Sequence, residues 1–375
     1  MQRALGFLVS SEARVHRRAL APCYYRSMRF AILGLAQTGK TSLFRILCGP
    51  QTYPEAYGTH IGVAHVPDPR LEELARIYHP KKVTPASLEF LDAPALAGDP
   101  DKDATVFGQV RGADAFVHVV RVFGEQSNPG GDGADLETEF ALVDLDTVSK
   151  RLGKLERDLK KARTPELELE HRIVEKARAP LAAGTPLRAQ DWSAEERKLL
   201  SGFQLLSAKP LLLVLNAGEE DAPHLEQLPQ KHDLGGWAGQ PGVALTEICG
   251  QIEAELAELE PADAAEFMAS YGLRESARGR LLHSAYGLLG LLTFYTVGEA
   301  ECRAWAVPRG TVAVEAAGTV HSDFGRRFIK AEVLPWDVLV EAGGLAAARE
   351  QGRVRLEGKQ HEIHDGDVLY IRHGA

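Results

Sequence analysis

The sequence predicts an α/β protein with a mostly parallel sheet, a helical insertion, and a smaller β-rich unit towards its C-terminal end. Three observations carry that prediction. Short apolar runs at 29–33, 88–91, 115–122 and 211–215 have the length and composition of strands buried on both faces. Between the third and fourth runs the apolar spacing switches to threes and fours, and beyond residue 285 short β-type segments alternate with Gly and Pro turns, interrupted by a helix around Trp336 to Ala342. At 375 residues the chain exceeds one typical core, so several domains are expected.

Composition narrows the class. With 45% hydrophobic and 25% charged residues the chain reads as an ordinary globular protein, and no apolar run approaches the roughly 18 residues of a membrane helix. A formal charge of -9 argues against binding DNA through bulk charge, so any RNA contact has to be local. Cys23, Cys48, Cys249 and Cys302 form no CxxC pair, which supports neither a zinc site nor a disulfide framework and fits a reducing, cytoplasmic setting.

Residues 1–27 stand apart. Arg3, Arg14, Arg17, Arg18 and Arg26 face a single acid, Glu12, and Met28 directly precedes the first strand. The segment reads as a disordered extension or a start placed too early; an organellar presequence is the alternative.

The strongest chemical signal follows the first strand. Gly34-Leu35-Ala36-Gln37-Thr38-Gly39-Lys40-Thr41 satisfies G-x-x-x-x-G-K-[ST], with an apolar-periodic helix beginning at Ser42. Glycines let backbone amides turn inward, and those amides with the helix N-terminus cradle phosphates. Lys40 is expected to reach the β- and γ-phosphates, making it the one residue assigned to catalysis, and the Thr41 hydroxyl to ligate Mg²⁺. Gly34, Ala36, Gln37, Thr38, Gly39, Lys40, Thr41 and Ser42 form the expected phosphate-binding set.

Downstream elements are placed relative to that loop. Asp92 ends the second apolar strand and is the expected carboxylate on the metal side. His118 lies within the third strand and reads as a core residue rather than a catalyst. Leu136, Phe140, Val143, Leu152, Leu155 and Leu159 form one helical stripe; a second helix runs from about Pro165 to Ala183, and Ser193 with Glu196 forms a capping box that opens a third. The charged face KLERDLKKAR reads as solvated, with a partner-binding role as the alternative. The fourth strand ends in Asn216-Ala217-Gly218-Glu219, where guanine-specific P-loop proteins hold N-K-x-D. Glutamate for aspartate, with no lysine, loosens the base choice or shifts it towards adenine; a plain turn is the other reading.

With these residues in view, the chain resembles the Obg-like ATPase or YchF family of translation-factor-class P-loop NTPases, as a divergent member. The likeness runs from MRFAILGLAQTGKTSLF through VPDPRLEELARIY, NAGE, ICGQIEAEL (Ile248 to Leu256) and EFMASYGL to RAWAVPRGT, AGTVHSDFGRRFIKAEV and GKQHEIHDGDVLYI. The resemblance implies a preference for ATP over GTP, Cys249 and Gly250 in the base loop, a projecting helical hairpin, and a C-terminal TGS domain of β-grasp fold. The domains expected are a G domain at 28–137 and 206–285, a hairpin at 138–205 and a TGS-like domain at 286–375.

Departures from the family pattern bear on chemistry. The second switch reads Asp92-Ala93-Pro94-Ala95-Leu96 where the family has D-x-A-G-L, so a glycine amide near the γ-phosphate has become Ala95. Ala56 falls at the family's switch threonine, leaving Thr59 as a candidate second Mg²⁺ ligand. The glycine-rich stretch that follows is short and acidic, 98–103. Beyond Leu291 ten Lys and Arg face twelve Asp and Glu, yet Arg326, Arg327 and Lys330 cluster beside His321 and Phe324 as a candidate ribosomal RNA contact, or a plain helix terminus.

The expected function is a Mg²⁺-dependent, monomeric nucleotide-binding protein that slowly hydrolyses ATP, GTP less well, and couples nucleotide state to ribosome or RNA association without a membrane. The alternative is an ATP-binding regulatory module that does not turn over.

Overall fold

A computed structural model describes residues 28–49, 59–125, 127–273 and 275–374. The readings of residues 1–27 and of Ala56 lie outside the described residues. The first sheet has the order β2-β4-β1-β5-β6-β7, built from β1 (Arg29–Leu33), β2 (His60–His65), β4 (Ser87–Asp92), β5 (Ala115–Arg121), β6 (Leu211–Asn216) and β7 (Val243–Ile248). Only β2 runs antiparallel to its neighbour; the other pairs are parallel, with β1 between β4 and β5. Every residue of β6 is buried, as its uninterrupted Leu and Val run requires.

Helices cover both faces. On one, α1 (Lys40–Cys48) brings Leu43, Phe44 and Leu47 against Phe30 and Ile32, together with Leu281 and Leu282 of the helix Ala277–Leu289. On the other, α3 (Pro100–Val110) and the first part of α4 (Pro129–Lys161) supply Phe107 and Phe140, and the Phe140 ring lies 5.0 Å from that of Phe116 on β5 and 5.4 Å from that of Phe107. This sandwich fixes the C-terminal ends of β1, β4, β5 and β6 side by side. In such sheets ligands bind at that edge.

The insertion is a helical pair. α4 spans 33 residues, about 50 Å, and turns back into α5 (Pro165–Ala182); α6 (Ala194–Ser201) follows. Val148, Leu152, Leu155, Ile173, Val174 and Ala177 form the core between the two long helices, and Arg151 donates twice to the Glu170 carboxylate at 2.7 Å. The capping box is present: Glu196 N donates to Ser193 Oγ and Ser193 N to Glu196 Oε2. The expected division at 137/138 falls inside α4, which begins at Pro129. Asn128 caps it through Gly131 N with proline at the first turn, and this overrides the low helix propensity of Gly130, Gly131 and Gly133.

The second sheet has the order β11-β10-β12-β8-β9-β3, from β3 (Val83–Thr84), β8 (Leu291–Thr296), β9 (Cys302–Pro308), β10 (Phe328–Pro335), β11 (Arg355–Glu357) and β12 (Asp367–His373). Central β12 pairs parallel with β8 and antiparallel with β10. The helix Ala313–Val320 packs Ala313, Ala316 and Ala317 over Phe294, Val307 and Val333. The helix read at Trp336–Ala342 is there. The expected division at 285/286 falls inside the helix Ala277–Leu289, because burial of Ala285 and Leu289 carries that helix up to β8.

The two sheets are stitched together. β3 adds to the edge of β9, pairing Val83 with Cys302. From α2 (Pro69–Tyr78), Arg70 donates to Asp365 at 2.7 Å, and the Tyr78 hydroxyl lies 2.6 Å from that of Tyr370; Tyr295 donates to Asp68, the α2 cap, at 2.5 Å. No helix among the described residues is long and apolar enough to cross a membrane.

Candidate nucleotide site

The loop between β1 and α1 has the backbone its sequence demands. Gly34 has φ 149°, and a Cβ there would sit 2.5 Å from the Val119 carbonyl oxygen; Gly39 has φ 94°, and a Cβ there would sit 2.2 Å from Asn216 Nδ2. Only glycine fits either place. Ala36 and Gln37 form the exposed crest, with Gln37 itself at φ 62°, while Thr38 is buried and donates to the Leu35 carbonyl at 3.0 Å. α1 starts at Lys40, two residues earlier than its apolar periodicity predicts, so the helix N-terminus opens directly onto the loop.

Lys40 folds back under the crest. Its side chain is 7% exposed, and its ammonium donates to the Leu35 carbonyl at 3.1 Å. Burial holds its pKa below the usual lysine range, with Asp92 opposing the shift. The Thr41 hydroxyl donates to Asp92 Oδ2 at 3.4 Å, so two hard oxygens converge beside the exposed Thr41 and Ser42. A loop whose two glycines admit no Cβ, ending in hydroxyl and carboxylate oxygens, fits Mg²⁺ with a nucleotide phosphate tail.

Asn216 joins two loops of the site. Its Nδ2 donates to the Thr38 carbonyl at 2.9 Å, and its Oδ1 accepts from Gly250 N at 3.0 Å. Both ends of the amide are thereby engaged by backbone. Asn216 thus ties the phosphate loop to the base loop, and its amide keeps a second N–H and a second lone pair beyond these two bonds. Glu219 opens a 3-10 stretch past β6, and Cys249 follows β7 as the N-cap residue of the helix Gly250–Leu256. Burial raises the Cys249 pKa, and Glu219 is near enough to add to the rise. Glu219, Cys249 and Gly250 therefore share the end of the site beyond Asn216.

His118 is the buried strand residue that the sequence predicts. It pairs across from Leu33, the residue before Gly34; it is 1% exposed, and its Nδ1 has no hydrogen-bond partner among the described residues. Burial, with Lys40 adding repulsion, lowers its pKa to about 3, so it is neutral at pH 7.

The second switch is tied to the loop. Leu96 N donates to the Gly34 carbonyl at 3.0 Å, while Pro94 and Ala95 lie exposed. The acidic stretch beyond is an anchored turn: the buried Asp103 carboxylate accepts from Ala97, Gly98 and Asp99 N. Thr59 does not join Thr41 and Asp92 through its side chain; its hydroxyl donates to Gln109 Oε1 on α3 at 3.0 Å.

The basic cluster lies on the other sheet, around the short helix Ser322–Arg326. Arg326 donates to Asp323 at 2.9 Å, Arg327 is exposed at the helix end, and Lys330 is half-buried in β10. Phe324 stacks on His373 at 4.4 Å.

Comparison with known proteins bears on this geometry. The family model YchF-GTPase_C, described as "Protein of unknown function (DUF933)", matches residues 291–374. The ribosome-binding ATPase YchF of Bacillus subtilis is 33% identical over 358 residues, covering 91% of this chain and 98% of its own. Obg-like ATPase 1 of Oryza sativa subsp. japonica is 31% identical over 366 residues, covering 92% of each chain. The structure of the Schizosaccharomyces pombe YchF GTPase superposes with a TM-score of 0.79 at 26% identity, covering 92% of this chain and 98% of that one. A phosphate cradle, a glutamate in place of the base-reading aspartate, and likeness along nine-tenths of the sequence agree: the chain belongs to the YchF/Obg-like ATPase family.

Proposed function

We propose that this protein binds ATP with Mg²⁺, GTP less well, hydrolyses it slowly, and couples its nucleotide state to association with the ribosome. The observation that carries the reading is the glycine-built loop from Gly34 to Thr41, braced from behind by Asn216 and holding a buried lysine. The names of the relatives, ribosome-binding ATPase and Obg-like ATPase, support it.

In this reading the amides of Ala36 to Ser42 face the phosphates, and Lys40 exchanges the Leu35 carbonyl for the β- and γ-phosphate oxygens. Thr41 and Asp92 would hold Mg²⁺, which supplies charge neutralisation across the β- and γ-phosphates when bound. His118, held neutral, leaves the charge of Lys40 undivided for the phosphates. Glu219, Cys249 and Gly250 border the base. Catalysis rests on positioning and electrostatics, with no side chain assigned as base. Arg327 and Lys330, with Arg326 once released from Asp323, would meet ribosomal RNA, and the α4–α5 pair would meet a second ribosomal surface. The protein acts as a cytoplasmic monomer.

A second reading is favoured by one feature. Leu96 N is already bonded to the Gly34 carbonyl, Ala95 stands in the place of the switch glycine, and Asp103 anchors the turn beyond, so the second switch has few ways to follow a γ-phosphate. The protein would then bind ATP without turning it over. Single-turnover hydrolysis by wild type and Lys40→Ala separates the two. Phosphate release at least tenfold faster in wild type is expected; release no faster than the variant, with ATP still bound, leaves the non-hydrolysing reading.

A further inference from the structure

The end of the loop after β11 and the first residue of β12 read His361-Glu362-Ile363-His364-Asp365-Gly366-Asp367, with His361, His364 and Asp367 at a period of three that no feature of the nucleotide site uses. One ring nitrogen of His361, one of His364 and a carboxylate oxygen of Asp367 all lie within 4.8 Å of one another. We propose that His361, His364 and Asp367 hold a divalent transition-metal ion of the zinc class. The absence of cysteine pairs in the sequence does not bear on such a site, because its donors are two imidazoles and a carboxylate.

Four features favour an ion here over an accidental cluster. The first is rigidity. Ile363 is 1% exposed and donates its N–H to the Thr311 carbonyl at 2.9 Å, Ala313 N donates to the His361 carbonyl at 2.8 Å, and Asp367 N closes a turn onto the His364 carbonyl at 3.1 Å. The backbone thus fixes all three positions before any ligand arrives. The second is the state of His361. Its ring is 13% exposed, Glu357 Oε2 lies 3.4 Å from Nδ1, and Nε2 is buried with no hydrogen-bond partner among the described residues. With Glu357 beside Nδ1, the unpartnered Nε2 is the ring nitrogen with a lone pair to offer a metal.

The third feature is the carboxylate. Asp367 is 2% exposed, accepts from His364 N at 2.9 Å, and has Oδ2 3.6 Å from His364 Nδ1. It is oriented by backbone and keeps lone pairs to spare. The fourth is access: His364 is 68% exposed, so an ion can enter from solvent, and a fourth position stays open to water. The ligand atoms must close from 4.8 Å by small side-chain rotations, which the exposed His364 permits.

The position gives the ion a structural consequence. Asp365, the neighbour of His364, accepts from Arg70 of α2 at 2.7 Å and from Thr293 N at 2.8 Å. An ion on His364 would hold this loop in the conformation that keeps Asp365 on Arg70, clamping the C-terminal sheet to the nucleotide-binding unit.

The test uses the full chain stripped of metal and titrated with Zn²⁺ by calorimetry in excess Mg²⁺, with Co²⁺ absorption reporting coordination by nitrogen. One equivalent of Zn²⁺ is expected to bind at micromolar or tighter affinity and to raise the melting temperature. His364→Ala, a change at an exposed ring, should weaken that equivalent at least 100-fold, and His361→Gln with His364→Gln should abolish it while ATP binding and circular dichroism stay as in wild type. No bound equivalent in wild type at tens of micromolar Zn²⁺ overturns the proposal, as does binding by the variants as tight as that of wild type.

Discussion

At the phosphate end of the nucleotide site the geometry is set by backbone; at the base end it depends on what side chains are free to do. Gly34 and Gly39 occupy positions where a Cβ would collide at 2.5 and 2.2 Å, and Lys40 is enclosed at 7% exposure. At the other end Asn216 bonds to Thr38 and Gly250, and the half-exposed Glu219 is the side chain expected to choose a base. The phosphate grip is therefore over-determined, and base choice rests on far fewer contacts. A site built this way should tolerate a change of nucleobase more readily than any change in its loop.

The largest effect is expected from Gly39→Ala. The added Cβ meets Asn216 Nδ2 in a left-handed conformation, so brace and loop cannot both keep their places. ATP affinity should fall at least 100-fold, about 2.8 kcal/mol, in a binding titration. Next comes Asn216→Ala, which strips a partner from the buried Thr38 carbonyl and Gly250 N–H. Denaturant unfolding should show a loss of about 1–3 kcal/mol. ATP and GTP affinities should drop by equal factors, since Asn216 braces the phosphate loop common to both; an effect on one nucleotide alone would break the comparison.

His118 tests the floor beneath the phosphate end. The folded protein keeps it neutral down to about pH 3, whereas an unfolded chain protonates it near pH 6.5, so the unfolded state binds more protons between those values. Stability conferred by His118 is present above pH 6.5 and is lost as pH falls towards 3. Unfolding curves for wild type should therefore decline with acid by up to about 1.4 kcal/mol per pH unit more steeply than those for His118→Leu. The smallest effect belongs to the base end. Glu219→Asp restores the shorter carboxylate of guanine-specific proteins and should raise GTP affinity relative to ATP by about fivefold in paired titrations; an unchanged ratio would remove Glu219 from base choice.

The same contrast explains what was legible in the sequence. The P-loop was, because its glycines are required by local backbone geometry; so were the Ser193–Glu196 capping box and the helix Trp336–Ala342, which rest on neighbours in the chain. Features depending on distant partners were not. The start of α4 at Pro129 hides behind three glycines and is secured by a cap and by Phe140 packing on Phe116. β3 is two residues long and exists because β9 offers it an edge. The brace role of Asn216 needs Thr38, 178 residues away. Asp103 looked like part of an acidic run, yet its carboxylate is buried as the anchor of residues 97–99. The spacing of His361, His364 and Asp367 was in plain view, but its meaning depends on the turn that brings them together.

The most direct test of the phosphate grip is a titration series with ATP, ADP and AMP in Mg²⁺, run on wild type and on Lys40→Ala. The loop cradles the β-phosphate, so affinity should fall by at least 100-fold from ADP to AMP in wild type, and the variant should lose most of that difference. AMP binding as tightly as ATP, or a variant indistinguishable from wild type across the series, would contradict the account.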